Sequence, residues 1–363
     1  MSAGDPRGVP AAGGPGEIVF GVDVGGTKVL GVALRDGQVV AETRVPTPTA
    51  PTGEDVVEAI VEVVVALAGM APRGTGGVRG EDPGGRTPAI GVGLPGMVDR
   101  SGVLRFAPNL PGVGGTDFAG ILAARLATRL PAAGPAPPAA PAGGAPAVVV
   151  ENDCNLAMFA EQRLGAARRV DDVLMVTLGT GIGGGAVLGG RVLTGSSGFA
   201  AEVGHMVVDP GGPPCPCGRR GCWEQLASGG ALGAMAREAA RAGGLRQVVT
   251  LAGGDPSGVR CEHVTDAAQR GDEGAVSLMG ELGWWVALGL ANLTAVLDPS
   301  RIVIGGGLVR AGEALLAPTR DAFARMVEGG AARPPVEIVQ AGLGERAGAI
   351  GAALAAAAGG IPV

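Results

Sequence analysis

Two segments of this chain repeat one plan of apolar strands joined by glycine-rich turns. The first begins at Glu17 and reads EIVFGVDVGGTKVLGVALRDGQVVAETRV, and the second begins at Asp172 and reads DVLMVTLGTGIGGGAVLGGRVLTG. β-Branched runs punctuated by Gly-Gly or Asp-Gly are typical of strands connected by hairpins. We therefore predict two copies of one supersecondary unit. Glycine at such turns lets backbone N–H groups approach an anionic ligand closely.

The glycine-rich loops carry the side chains expected of a nucleotide site. Aspartate can hold a hydrated Mg²⁺ and threonine can donate a hydrogen bond, although the Walker A spacing is absent. A third glycine cluster ends a strand and opens an amphipathic run, which is where open α/β sheets bind ligands. We interpret the loops as two phosphate sites and a nucleoside site, with three ordinary tight turns as the alternative. The candidate residues are Asp23, Gly25, Gly26, Thr27, Lys28, Thr180, Gly181, Gly305, Gly306 and Gly307.

A cysteine-rich stretch between Glu202 and Glu224 predicts a metal site. His205, Cys215, Cys217 and Cys222 supply one imidazole and three thiols, the complete shell of a closed structural zinc site. The C-x-C spacing would strain a disulfide, and reduced cysteines in a Gly/Pro-rich loop without metal are the alternative. If zinc orders the loop, it also orders the two flanking glutamates. Those carboxylates then become candidate site residues.

The segment AVVVENDCNLAMFAEQRLG predicts a buried strand that ends at Glu151, Asn152 and Asp153, followed directly by a helix. An aspartate at a helix N-terminus is commonly a cap. The neighbouring Asn152 favours a functional role for Asp153 instead. So does the scarcity of other acids and bases, because the second histidine of the chain, His263, lies in a polar stretch.

Length and composition favour a small-molecule protein. The 363 residues predict about two domains, and a net charge of −6 without a basic tract argues against nucleic acid as a partner. No signal peptide or membrane span is recognisable, so we expect a cytoplasmic protein without a membrane partner. The apolar segment 278–297 contains Glu281 and Asn292, which favours a buried or subunit-interface helix.

Eight motifs in order make the chain resemble the ROK (repressor, open reading frame, kinase) sugar kinases. They are DVGGTK, GLPGM, APNL, ENDCNLAMFAE, LGTGIGGG, AAEVGH, CPCGRRGCWEQ and IGGGL. From about Ile18 onward the chain is most similar to the zinc-containing glucokinases of actinobacterial type within that family. The resemblance implies the actin-like ATPase (ribonuclease H-like) α/β fold, with two α/β domains around a cleft. It also implies ATP, Mg²⁺, structural Zn²⁺ and a homodimer or homotetramer.

Residues 1–16 contain nothing to bury, and their composition predicts a disordered tail. The resemblance implies that a small N-terminal α/β domain covers 17–157 plus about 344–360. A large C-terminal α/β domain covers 158–343 and contains the zinc loop 205–222. Low-complexity insertions near 72–88 and 131–146 have no predicted chemical role.

The activity implied by the resemblance is phosphorylation of glucose at the 6-hydroxyl by ATP. Asp153 is then the catalytic base, and the sugar hydroxyls are held by Asn109, Asn152, Glu202, His205 and Glu224. ATP is favoured over polyphosphate because Thr27 directly precedes Lys28, whereas polyphosphate-using relatives have a longer loop. The alternatives are a kinase for N-acetylmannosamine, allose or fructose, and a regulator that binds sugar without turnover.

Overall fold

The computed structural model describes residues 16–71, 88–108, 110–130 and 146–362, which divide into two compact units. The first unit contains the described residues up to Leu164, Thr194–Ala200 and the C-terminal segment from Arg346. The second contains Gly165–Leu193 and Ala201–Glu345. The predicted tail and the two low-complexity insertions lie outside the described residues, apart from Gly16, Pro88 and Pro146 at their edges.

The first unit is built on a five-stranded sheet in the order β3-β2-β1-β4-β8 and a three-stranded sheet in the order β5-β6-β7. The strands are β1 (Ile18–Val24), β2 (Lys28–Arg35), β3 (Gln38–Pro46), β4 (Ile90–Leu94), β5 (Met97–Val98), β6 (Val103–Phe106), β7 (Thr116–Asp117) and β8 (Val148–Asn152). The first three strands pair antiparallel, whereas β4 runs parallel to β1 and to β8. The predicted run of three hairpin-connected strands from Glu17 is confirmed.

Helices cover both faces of this sheet. They are α1 (Gly53–Met70), α2 (Phe118–Arg129), α3 (Asp153–Leu164) and the C-terminal α10 (Ala347–Ala358). Helix α10 is almost entirely alanine and glycine, and it packs on β1 and β4 at very short range. A Cβ atom at Gly21 would lie 1.9 Å from the carbonyl oxygen of Ala349. The sheet and α10 therefore meet backbone to backbone, which only small residues permit.

The second unit repeats the arrangement with a sheet in the order β11-β10-β9-β12-β13. The strands are β9 (Val173–Leu178), β10 (Ile182–Leu188), β11 (Arg191–Val192), β12 (Arg301–Gly305) and β13 (Glu337–Gln340). Again the first three pair antiparallel, and β12 is parallel to β9 and β13. The same strand order and directions in both units confirm the predicted repeat and define the actin-like ATPase fold.

Six helices complete the second unit as described. They are α4 (Glu224–Ala227), α5 (Gly229–Arg241), α6 (Arg246–Leu251), α7 (Cys261–Gln269), α8 (Glu273–Leu297) and α9 (Glu313–Met326). Among the described residues, α8 is one helix whose length and composition would suffice to span a membrane, and half of its apolar window is buried. It packs mainly on α9 and α7. This packing agrees with the interpretation of the segment 278–297 as a buried helix.

Candidate active site

The four predicted metal ligands converge in the second unit. One ligand atom from each of His205, Cys215, Cys217 and Cys222 lies within 4.8 Å of all the others. Sγ of Cys215 is 3.6 Å from Nδ1 of His205, and Sγ of Cys217 is 3.6 Å from Sγ of Cys222. A tetrahedral site with Zn–S bonds of about 2.3 Å separates two sulfur atoms by about 3.8 Å. The donor set and its spacing therefore fit a closed zinc site.

The loop that carries the cysteines has little secondary structure of its own. Its shape depends on two isolated bridges, Val207 with Cys222 and Pro214 with Arg220, and on a tight turn at Gly218. The indole of Trp223 is fully buried and donates from Nε1 to the carbonyl oxygen of Trp285, at 2.7 Å. The loop is thus attached to the core at one end, immediately beside the metal ligands.

The surroundings shift the pKa values of the three thiols in different directions. Burial opposes the ionisation of Cys217, but hydrogen bonds from Arg219 outweigh it and lower the pKa of Cys217 to about 6. Burial raises the pKa of Cys215 to about 12 and also raises the pKa of Cys222. A divalent metal ion would stabilise all three thiolates together.

Three predicted sugar-binding residues lie at this cluster: His205 is itself one of its ligands, and Glu202 and Glu224 lie near His205. Oε1 of Glu224 lies 3.6 Å from Nδ1 of His205 and accepts a hydrogen bond from Sγ of Cys215 at 3.3 Å. Burial raises the pKa of Glu202, the charge of His205 opposes the increase, and the charge of Glu224 adds to it. The three side chains therefore form one half-buried polar group that the cysteine loop positions.

The two glycine loops of the second unit lie next to each other. Gly306 has a φ of 84°, and a Cβ atom there would lie 2.4 Å from the carbonyl oxygen of Leu178 at the end of β9. The loop that contains Thr180 and Gly181 follows Leu178 directly. A 3-10 turn, Gly307–Ala311, separates this glycine cluster from α9, where the sequence predicted that the amphipathic run would open directly. The predicted nucleotide residues of this unit are thus brought together.

Asp23 and Asp153 lie close together in the first unit. Burial raises the pKa of Asp23 to about 8, the charge of Asp153 adds to the increase, and the charge of Lys28 opposes it. Oδ1 of Asp153 accepts a hydrogen bond from the backbone amide of Cys154 at 2.9 Å. The two acids and the lysine therefore form one cluster of ionisable side chains, with Asp23 near the end of β1, Lys28 at the start of β2 and Asp153 directly after β8.

The remaining residues of the first predicted loop sit at the tip of the β1–β2 hairpin. Gly26 and Thr27 are exposed, and the amide of Gly25 donates to the carbonyl oxygen of Lys28 at 2.9 Å. Thr47 anchors the loop, because its hydroxyl donates to the carbonyl oxygen of Gly25 at 2.6 Å. Sequence reasoning did not identify Thr47, which lies in a TPT stretch far from the motif and carries no local signal of this contact.

Asn152 is the N-cap of α3. Its Oδ1 accepts from the amides of Cys154 and Asn155 at 2.9 and 3.0 Å, and its Nδ2 donates to the carbonyl oxygen of Gly96 at 3.0 Å. Capping by Asn152 leaves the neighbouring Asp153 as the first residue of the helix. Asn109, the other asparagine predicted to bind sugar, lies outside the described residues.

The motifs, the fold and the convergent site identify the chain as a member of the ROK family. The sequence model of the ROK family matches residues 19–133 and 144–358.

Relatives in this family are similar over nearly the whole chain. A glucokinase of Streptomyces coelicolor is 38% identical over 341 residues, which span 93% of this chain and 96% of the relative. A glucokinase of Thermotoga maritima is 34% identical over 337 residues, which span 92% of this chain and 96% of the relative. A solved ROK family glucokinase of Streptomyces griseus, in complex with glucose and AMPPNP, is 36% identical. It has a TM-score of 0.77, with 93% of this chain and 98% of that chain covered.

Proposed function

We propose that this protein phosphorylates glucose at the 6-hydroxyl with ATP and releases glucose 6-phosphate and ADP. The observation that carries the proposal is the group formed by Glu202, His205 and Glu224 around a zinc-type ligand cluster, next to a glycine-rich loop. Likeness to glucokinases over nearly the whole chain supports it. We place the reaction in the cytoplasm and expect a homodimer or homotetramer.

The sugar is held by hydrogen bonds to its hydroxyl groups. The carboxylates of Glu202 and Glu224 accept from hydroxyls, and the imidazole of His205 offers the ring nitrogen that does not face the metal ligands. Asn109 and Asn152 are further proposed contacts. For Asn152, the N–H group of Nδ2 that does not donate to Gly96 is the candidate donor. A sugar that leaves the half-buried side chain of Glu202, His205 or Glu224 unpaired loses affinity strongly.

Asp153 acts as the base. Its carboxylate takes the proton of the 6-hydroxyl while the sugar oxygen forms a bond to the γ-phosphorus of ATP and the bond from that phosphorus to the bridging oxygen of ADP breaks. Position at the start of α3 favours the ionised carboxylate that a base requires, because the helix N-terminus carries partial positive charge.

The glycine loops and Lys28 hold the nucleotide. Backbone amides near Gly26, Thr27, Thr180 and Gly181 face the phosphates, and the hydrogen bond from Gly25 to Lys28 shapes the first of these loops. The cluster from Gly305 to Gly307 leaves room for the nucleoside. Asp23 would hold Mg²⁺ through water, and the cation neutralises charge on the phosphates when it is bound. His205, Cys215, Cys217 and Cys222 would hold a zinc ion whose part is structural.

A coupled assay of ADP release tests this function. Purified protein is given ATP with glucose, N-acetylmannosamine, allose or fructose, and the glucose reaction is repeated with polyphosphate. We expect the highest kcat/KM for glucose with ATP. A higher kcat/KM for another hexose would overturn the choice of sugar, equal or faster turnover with polyphosphate would overturn the choice of donor, and no turnover with any of them would overturn the activity.

A further inference from the structure

The carboxylate of Glu224 lies directly against Gly181. A Cβ atom at residue 181 would lie 2.6 Å from Oε2 of Glu224 and 3.7 Å from its Cδ atom, and among the described residues other than the two chain neighbours no third heavy atom lies within 4 Å of that position. A separation of 2.6 Å between carbon and oxygen is well inside van der Waals contact. Any side chain at residue 181 would therefore displace the end of the Glu224 side chain.

The backbone does not require glycine at this position. Gly181 is not among the described residues with positive φ, so alanine can adopt the same conformation without strain. Gly306 differs, because its φ is 84° and a Cβ atom there would meet backbone atoms of Leu178. The absence of a side chain at residue 181 is thus explained by the space that the Glu224 carboxylate occupies.

The loop and Glu224 are joined at a second point. Helix α4 opens at Glu224 and leads directly into α5. The first amides of α5 reach back to the loop: the amide of Gly229 donates to the carbonyl oxygen of Gly179 at 2.8 Å, and the amide of Gly230 donates to that of Thr180 at 3.2 Å. The segment 224–230 therefore contacts the loop through Glu224 at one end and through two hydrogen bonds at the other.

We propose that Gly181 is a positioning residue for Glu224, and that their contact couples the phosphate-binding loop to the affinity for sugar. The inference rests on the proposed function, in which Gly181 faces a nucleotide phosphate and Glu224 faces a sugar hydroxyl. A phosphate that orders the loop backbone also orders the surface against which Oε2 of Glu224 lies. Because binding linkage is reciprocal, a bound sugar strengthens nucleotide binding by the same factor.

The variant Gly181→Ala tests the positioning role. Glucose binding is measured by calorimetry without nucleotide, and we expect the dissociation constant to rise about tenfold or more, as for loss of a hydrogen bond to a charged group. Zinc content and thermal midpoint should match the wild type, because only the flexible end of Glu224 has to move. Gly280→Ala in α8 is the matched control, since in the described part of the chain no heavy atom outside the adjacent helix backbone lies within 4 Å of its Cβ position, and it should bind glucose as the wild type does.

A double-mutant cycle distinguishes the contact from a general disturbance of the loop. Glu224→Asp withdraws the carboxylate by one methylene, so the added methyl group of Gly181→Ala no longer meets it. In the Glu224→Asp background we expect Gly181→Ala to raise the dissociation constant of glucose by less than about threefold. If the two substitutions instead raise the dissociation constant of glucose by factors that simply multiply in the double variant, the proposal is overturned.

The wild-type protein supplies a test that needs no variant. Its glucose affinity is measured with and without a non-hydrolysable ATP analogue, and we expect the analogue to raise it about fivefold or more. Equal affinities would overturn the coupling. If the wild type binds glucose and Gly181→Ala binds it equally well, this inference alone is overturned. If the wild type does not bind glucose, the proposed function is overturned and this inference with it.

Discussion

Asn152 and Asp153 are adjacent residues at the start of α3, and they have different roles in the structure. Asn152 accepts two amide hydrogen bonds as the N-cap. Asp153 then adds its carboxylate at the first helical position, where the helix N-terminus favours negative charge. Because the cap is already in place, replacing Asp153 should disturb function more than folding.

The first prediction concerns this carboxylate. Asp153→Asn should lower kcat on the order of 10²-fold or more, because a positioned proton acceptor contributes about that factor. The dissociation constant of glucose and the thermal midpoint should stay close to those of the wild type. Steady-state kinetics measures kcat, and calorimetry measures the dissociation constant and the thermal midpoint. If the variant keeps near-full turnover, Asp153 is a structural residue and not the base.

The second prediction concerns the stability of the ligand-free protein as pH changes. The pKa of Asp23 is about 8 in the folded protein, against 3.8 for an ordinary aspartate. The folded state therefore resists ionisation, and Asp23 lowers the free energy of unfolding progressively as pH rises from about 4 to 8. The loss cannot exceed about 1.4 kcal/mol per pH unit.

Asp23→Asn removes this loss, since asparagine does not ionise. The free energy of unfolding of the variant minus that of the wild type should increase between pH 5 and pH 8 and become constant above about pH 9. Urea unfolding at several pH values, without nucleotide or Mg²⁺, measures this difference. A difference that does not vary with pH would contradict the assigned environment of Asp23.

The role of a single residue could be predicted from sequence where a motif identifies its functional group. The ligands His205, Cys215, Cys217 and Cys222 were predicted from residue type and spacing, and the structure brings them together. The capping role of Asn152 was not predicted, because either Asn152 or Asp153 could cap α3 on residue type alone. Contacts between residues distant in sequence, such as Thr47 with Gly25, have no local pattern from which to predict them.

At the scale of elements, the cysteine loop contains no helix and no strand beyond two isolated bridges, so we expect a metal ion to hold its four ligand side chains together. We predict one zinc ion per chain by elemental analysis. Cys217→Ser should lose most of the metal, make the loop sensitive to proteolysis and weaken glucose binding, because structural zinc supplies folding free energy. Cys261→Ser, outside the cluster, is the control and should keep its zinc. Active wild-type protein without bound zinc would contradict the prediction.

The contact between α8 and Trp223 gives a second prediction at this scale. A Cβ atom at Gly289 would lie 2.1 to 2.5 Å from three ring atoms of Trp223, whose indole is fixed by its hydrogen bond to Trp285. Gly289→Ala should lower the free energy of unfolding by about 1–3 kcal/mol, as overpacking does, and should weaken glucose binding through the adjacent Glu224.

Gly280→Ala separates this effect from the ordinary consequence of adding a methyl group to α8. Apart from the backbone of α8 itself, its Cβ atom would meet no heavy atom of the described residues within 4 Å, and alanine is favoured over glycine in helices by about 1 kcal/mol. We expect it to leave stability unchanged or slightly increased. Thermal and urea unfolding of both variants measures the contrast, and equal behaviour would show that Trp223 can move freely.

Elements marked by a long apolar run could be predicted, and those without one could not. The strands β1 to β3, β9 and β10 follow apolar, β-branched runs broken by glycine turns, and the structure contains them. Strand β11 is only two residues long and was predicted from the Gly-Gly turn before it. The strands β5 and β7 are two residues long each, too short for any period to appear. Helix α6 begins after Leu245, which has a φ of 55° and makes no side-chain cap, so the usual start signal is missing.

At the scale of the whole molecule, the repeated glycine turns predicted two copies of one strand plan, and the fold class was implied by the resemblance of eight motifs to the ROK sugar kinases. The order of the strands within each sheet was not derivable from the repeat. It depends on tertiary packing, such as the contact of Gly21 in β1 with Ala349 in α10. Residues of the chain that are far apart in sequence decide that arrangement.

The central claim is transfer of one phosphoryl group from ATP to the 6-hydroxyl of glucose. The most direct measurement is quantitative ³¹P NMR of purified protein with ATP, Mg²⁺ and glucose, with Asp153→Asn at the same concentration as control. We predict one glucose 6-phosphate for each ADP with the wild type and at least about a hundredfold less with the variant. ADP formed without a sugar phosphate, phosphate at another hydroxyl, or equal product from the variant would contradict it.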